Sequence, residues 1–166
     1  MPKLIKQGTV IDDDWTLIKE LADDAAVPSG RVILPLSAFE ARRDALADQA
    51  GLGVWLDSDE APSRLQDALQ QLAVIAINFP AFTDGRGYSY AQLLRQRYDY
   101  RGEIRAVGDV LRDQLFYMKR CGFDAFALRA DQDPSTCLAA FNDFSDCYQA
   151  AADQPSPLFR RRALSQ

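Results

Sequence analysis

The chain has 166 residues, 48% of them hydrophobic, enough for one domain whose core needs no disulfide or metal staple. With 24 acidic against 19 basic residues the formal net charge is -5, which excludes broad attraction to nucleic-acid phosphates or an anionic membrane surface. The opening MPKLIKQGTV has no apolar signal core and no run approaches the roughly 20 apolar residues that span a bilayer, so the expected location is the cytoplasm.

In chain order, Leu4 to Lys6 and Thr9 to Ile11 flank Gln7-Gly8 and predict an N-terminal β-hairpin, with Trp15 to Leu21 as a connector. From Arg31 onward short apolar runs alternate with 3.6-period segments. The run Val32-Ile33-Leu34-Pro35 predicts a strand, Ser37 with Glu40 reads as a capping box for the helix that follows, and Gly51 reads as its terminator. Gly53 to Leu56 predicts the second strand of this series, and Pro62 opens a helix with Leu65, Leu69 and Leu72 on one face.

Val74 to Phe79 is apolar almost without interruption, as expected of a central strand covered on both faces. After a loop from Pro80 to Gly87, a helix carries Tyr90, Leu93, Leu94 and Tyr98 and leads through Gly102 to a strand over Glu103 to Val107. Asp109 is the expected cap of the next helix, with Leu111, Leu115 and Met118 inward and Gly122 at its end. Ala125 to Arg129 is the last predicted strand. Asp133-Pro134 then reads as an N-cap with proline at the first helical position, opening a helix with Leu138, Phe141 and Phe144 inward.

These elements give an α/β domain over residues 1–153 and a basic tail over 154–166, marked by Arg160-Arg161-Arg162 and expected to be mobile or docked on a partner. Five βα units on a mainly parallel sheet allow an open doubly wound sheet or a partial TIM-like barrel, the latter left open or completed by a homodimer. In either case a ligand is expected at the carboxyl ends of the strands.

That edge defines the candidate site: Asn78, the loop residues Asp84, Gly85, Arg86 and Gly87, then Arg105, Asp109, Arg112 and Arg129. Glycines that permit positive φ beside an arginine fork suit a small oxyanion, and the same residues also read as an Asp-Gly turn with a surface arginine. Asp109 and Asp113, four apart and within reach of Arg105 and Arg112, read as a structural ion-pair network or as a general acid-base pair. Tyr88 and Tyr90, after the glycine loop, read as packing residues at a helix start or as a lid or proton donor over the site.

The chain has no histidine, which excludes Ser-His and Cys-His machinery. Cys121, Cys137 and Cys147 are too widely spaced for a disulfide framework or a metal site, and Cys121 reads as a buried structural thiol. No cofactor motif is encoded, so electron transfer by this chain alone requires a bound flavin or nicotinamide.

The segment NFPAFTDGRGYSYAQLLRQRYDYRGEIRAVGDVLRDQLFYMKRCGFDAF, Asn78 to Phe126, resembles a bacterial family of unknown function. Members are described as oxidoreductases of sulfite reduction, found beside genes of assimilatory sulfite reductase. FTDGRGYSYA, RAVGDVLRDQLF and CGFDAF carry the resemblance, and Tyr98-Asp99-Tyr100 departs from a Gly-Tyr expected there. The resemblance implies a pathway and supplies no catalytic residues. Its first implication is an accessory or oxidoreductase-associated protein that binds a small sulfur oxyanion at the strand ends. The alternative is a noncatalytic partner or assembly factor of the sulfite reductase subunit.

Overall fold

The computed structural model describes residues 2–164. Eight strands, β1 (Lys3–Lys6), β2 (Thr9–Asp12), β3 (Thr16–Leu17), β4 (Val32–Pro35), β5 (Leu52–Leu56), β6 (Val74–Phe79), β7 (Glu103–Gly108) and β8 (Ala125–Phe126), form one sheet. Its spatial order is β2-β1-β8-β7-β6-β5-β4-β3, with β3 to β8 parallel and β1 antiparallel to both β2 and β8. The chain is a mixed α/β fold with this sheet curled into a half-barrel.

The strand order decides between the two architectures left open by the sequence. A doubly wound sheet reverses direction at a switch point, whereas here each parallel strand lies beside its successor. Right-handed crossovers stepping one way place every intervening helix on one face, as in a barrel that stops before closing. The doubly wound alternative is therefore excluded.

Helical segments alternate with the strands: α1 (Leu36–Arg42), α2 (Arg86–Gln92), α3 (Leu115–Cys121), α4 (Pro134–Cys137) and α5 (Leu158–Leu164), supplemented by 3-10 turns and one π turn. They cover the outer face, where Leu34, Leu56, Ile75, Ile77 and Ile104 pack against Phe39, Leu65, Ala91, Leu94, Leu115 and Met118. Alternate residues of the same strands, Ile33, Val74, Ala76 and Val107, line the inner face with Trp15, Leu17 and Trp55 against them. Two buried faces explain the unbroken apolar run of β6.

Several local expectations change in three dimensions. Leu36 starts α1 directly after Pro35 with no side-chain cap, and Glu40 turns outward to pair with Arg64 instead of closing a capping box on Ser37. The segment opened by Pro62 is a 3-10 helix over Pro62–Gln71 that still buries Leu65 and Leu69. Asp109 caps no helix, because β7 runs on to Gly108 and the next helical turn starts only at Arg112, where Gln114 Oε1 accepts from Leu111 N at 2.8 Å. The last strand shortens to two residues. Phe144 is 63% exposed, since the 3-10 turn Leu138–Asn142 rotates it off the inward face.

Other expectations hold. Asp133 accepts from Ser135 N and Thr136 N at the start of α4, and Gly122 ends α3 at φ 114. Where a mobile or partner-docked tail was expected, the basic segment is the helix α5, anchored on its own chain by buried Leu158 and by Leu158 N donating to Tyr148 O at 3.1 Å.

Candidate functional site

Parallel strands in register bring the ends of β5 to β8 to one edge of the half-barrel. Asn78 Nδ2 donates to Asp57 Oδ1 at 2.9 Å, joining the last turn of β6 to the residue after β5. Arg86 Nη2 donates to Ser58 Oγ at 2.8 Å. Asp109 Oδ2 accepts from Phe82 N, and its Oδ1 accepts from Arg129 Nη1, both at 2.8 Å. Asn78, Arg86, Asp109 and Arg129 thus belong to one rim.

Both guanidiniums of this rim are already paired with carboxylates of the chain. Arg86 forks onto Asp84 at 3.0 and 2.6 Å, and Arg129 forks onto Asp131 at 2.7 Å through both Nε and Nη2. Arg86 holds the Asp84 carboxyl down to about 2, and Arg129 does the same for Asp131. Asp131 and then Asp109 raise the Arg129 guanidinium in turn. Four carboxylates, those of Asp57, Asp84, Asp109 and Asp131, face two guanidiniums.

The glycines of the loop do not form the positive-φ cradle expected of them. Gly85 has φ -91 and caps α2, whose first amide, Arg86 N, is taken by Asp84 Oδ1 at 3.1 Å. Gly87 is needed for close packing: a Cβ there would lie 2.6 Å from Phe79 Cζ, so it lets α2 settle on β6. The rim glycine in the left-handed region is Gly108, at φ 95, where a Cβ would meet Phe79 O at 2.4 Å. Its conformation directs Asp109 N to Phe79 O at 2.7 Å.

Two predicted site residues lie elsewhere. Arg112 points away from the rim to Asp143, at 2.9 and 3.2 Å. Arg105 sits inside the half-barrel, its side chain 3% exposed, bridging Glu103 at 2.7 Å and Asp13 at 2.8 Å. Lys6 Nζ completes this row 2.7 Å from the other Glu103 oxygen. The expected pairing of Asp109 with Arg105 or Arg112 is replaced by its bond to Arg129.

Tyrosines and thiols near the site are held by packing. Tyr90 Oη donates to Ser58 O at 2.9 Å, and burial raises the Tyr88 hydroxyl, which accepts from Gln114 at 3.3 Å. Burial also pushes the Cys121 thiol up, beside Gln92 Nε2 at 3.6 Å. Among the described residues no group of three or more acidic or cysteine side chains is placed to hold a metal.

Asp57 and Ser58, which fix Asn78 and Arg86, were not among the candidates; their position directly after β5 was the available signal.

A family model matches residues 53–159, more than half of the chain. The chain belongs to that family, described as a bacterial protein of unknown function, DUF934. The family segment begins inside β5 and contains every rim residue named above, while β1 to β4 lie outside it. No curated protein and no solved structure matches the chain. Among the described residues no helix is long and apolar enough to cross a membrane.

Proposed function

We propose that the chain is a noncatalytic accessory protein of assimilatory sulfite reduction that binds the sulfite reductase subunit. The resemblance carried by FTDGRGYSYA, RAVGDVLRDQLF and CGFDAF supplies the pathway. The mode of action rests on one observation: Phe144, Tyr148, Phe159 and Leu164 are 63%, 78%, 70% and 86% exposed within one C-terminal stretch. Large apolar side chains cost free energy in water, and a concentration of them marks a surface meant to be covered.

The stretch is held in place by its own chain. Phe144 stacks on Phe116 with centroids 4.9 Å apart, and the Leu158 to Tyr148 backbone bond sets Phe159 beside the Tyr148 segment. Arg160 lies over the Phe159 ring at 5.8 Å, so aromatic and cationic groups share the surface. Such a face suits an apolar patch rimmed by carboxylates on the partner.

The test is co-purification of tagged chain with the reductase subunit from cells grown on sulfate, beside Tyr148→Ser and Phe159→Ser. Recovery of the reductase by the parent chain and its loss in both variants, with unchanged melting temperature, is expected. Absence of the reductase from the parent sample overturns the proposal. Deletion of the gene is expected to block growth on sulfate and sulfite and leave growth on sulfide.

A second reading places a sulfur oxyanion at the rim, where Arg86 and Arg129 are about half exposed on one edge. It requires the anion to displace carboxylates from both guanidiniums, which is why it ranks second. Millimolar sulfite or sulfate raising the melting temperature of the parent but not of Arg86→Gln would favour it over a partner surface alone. A flavin absorbance band in the purified protein would favour an oxidoreductase role.

A further inference from the structure

We propose that a cavity at the amino end of β8, opposite the rim, binds a small amphipathic monoanion with an aryl body and one carboxylate or sulfonate head. The cavity measures about 660 Å³, within the size range of small-molecule sites. It lies between the β1–β2 turn, the end of α3 and the 3-10 turn Leu138–Asn142.

Its walls are of two kinds. Phe126 and Phe141 form an aromatic pair with centroids 5.2 Å apart, and Leu138 and Phe123 extend that apolar surface. An aryl group gains both burial and edge-to-face contact on such a wall.

The lining carries two cations, Arg95 and Lys119, and two carboxylates, Asp124 and Asp153, but one of those carboxylates is taken by Arg120 from outside it. Arg95 is committed to Asp124 at 3.1 Å and to the carbonyls of Tyr100, Gly102 and Gly122 at 2.7 to 2.9 Å. Asp153 is committed to Arg120 at 3.2 Å. Lys119 is left with no carboxylate partner among the described residues, its ammonium 5.9 Å from the Phe141 ring centroid. One uncompensated positive charge beside an apolar wall calls for one negative charge on an apolar body.

The turn bordering the cavity is held in a conformation that a non-glycine residue adopts at a cost. Gln7 has φ 49, and its N-H donates to Asp124 O at 2.9 Å, tying the turn to the start of β8. The border is therefore positioned before any ligand arrives, and binding need not first order it.

The experiment uses two fluorescent probes of the same aromatic body, 1-anilinonaphthalene-8-sulfonate and uncharged N-phenyl-1-naphthylamine, titrated into the full chain and its variants. The parent is expected to bind one sulfonate probe per chain. Lys119→Met is expected to raise the Kd of the sulfonate roughly threefold to fivefold and leave that of the neutral probe unchanged, as loss of one solvent-exposed charge contact predicts. Leu138→Trp is expected to abolish both. Asn142→Trp, a substitution at an exposed lining residue, gives the same readout if the core variant does not fold. Equal weakening of both probes in Lys119→Met, or undiminished binding in the folded tryptophan variant, overturns the proposal. Both readouts are independent of reductase binding.

Discussion

Replacement of Arg105 by Met tests whether the inner face of the half-barrel is held by its ion row. The Arg105 and Glu103 side chains are 3% and 5% exposed, and Asp13 is 13% exposed. Met keeps most of the stem volume but leaves both carboxylates without the guanidinium. Losing one partner of a buried pair costs roughly 3 to 5 kcal/mol. Lys6 still meets Glu103 at 2.7 Å, and Asp13 Oδ1 still accepts from Trp15 N at 3.2 Å, which places the expectation at the lower end, about 3 kcal/mol. In a chain of this size that lowers the melting temperature by roughly 6 to 12 °C. Urea unfolding of Arg105→Met, Glu103→Gln and the double variant separates the pair from its parts. The double variant is expected to lose at least about 1 kcal/mol less than the sum of the singles, because neither member of the Arg105–Glu103 pair is then left as an orphaned buried charge, and Asp13 is left with the bond from Trp15 N in both Arg105 variants. Additivity to within about 0.5 kcal/mol would refute the reasoning.

Gly108→Ala forces a Cβ to 2.4 Å from Phe79 O at φ 95 and is expected to lose about 2 to 3 kcal/mol by denaturant titration, with unchanged neighbours if the backbone is as constrained as the close approach implies. Burial raises the Cys121 and Cys137 thiols and lowers their thiolate fraction near neutral pH, so half-exposed Cys147 is expected to be alkylated first by iodoacetamide, read by mass spectrometry of the native protein. Asp124 carries a carboxyl raised by burial against the lowering effect of Arg95. The folded state therefore binds its proton more tightly than the unfolded chain does, and that contribution grows as pH falls through the raised folded value and is lost as pH rises through it. The stability of the parent relative to Asp124→Asn is thus expected to rise on acidification from neutral pH toward the ordinary carboxylate range, measured by urea midpoints at successive pH values.

The sequence made legible what depends on neighbours along the chain. The β6 run, the Asp133-Pro134 helix start and the Gly122 stop each express a local rule, and each recurs in the structure. Asp99, at the departure from Gly-Tyr, has φ 52, so the position calls for a left-handed residue and aspartate supplies one. What stayed hidden depends on partners far apart. Glu40 could close a capping box until Arg64, 24 residues later, claimed it. Arg105 read as a rim residue from its place on β7, yet its partner Asp13 lies 92 positions away in the N-terminal segment. The rim itself was visible because parallel register places the ends of successive strands together, whereas the pairing of its arginines depends on which carboxylates those loops also carry.

The half-barrel raises the question of what replaces the missing strands. A closed barrel fills its interior with side chains from opposite walls, whereas here the inner residues Ile33 and Ala76 are fully buried within one chain. Trp15 and Trp55 supply that cover, and Trp55 Nε1 donates to Ile18 O at 2.9 Å, tying the inner face to the segment after β3. The free edges are equally managed: β3 has two residues, and β2 ends at Asp12, paired with Lys3 at 2.7 Å and followed by Asp13 and Asp14. Short, charged edges resist adding a strand from another chain. With the interior filled and the edges blunted, completion of the barrel by a second copy has little apolar surface to bury. The exposed aromatic side chains of the C-terminal stretch do have such surface, which is why the proposed partner contact is assigned to that stretch and not to the sheet edges.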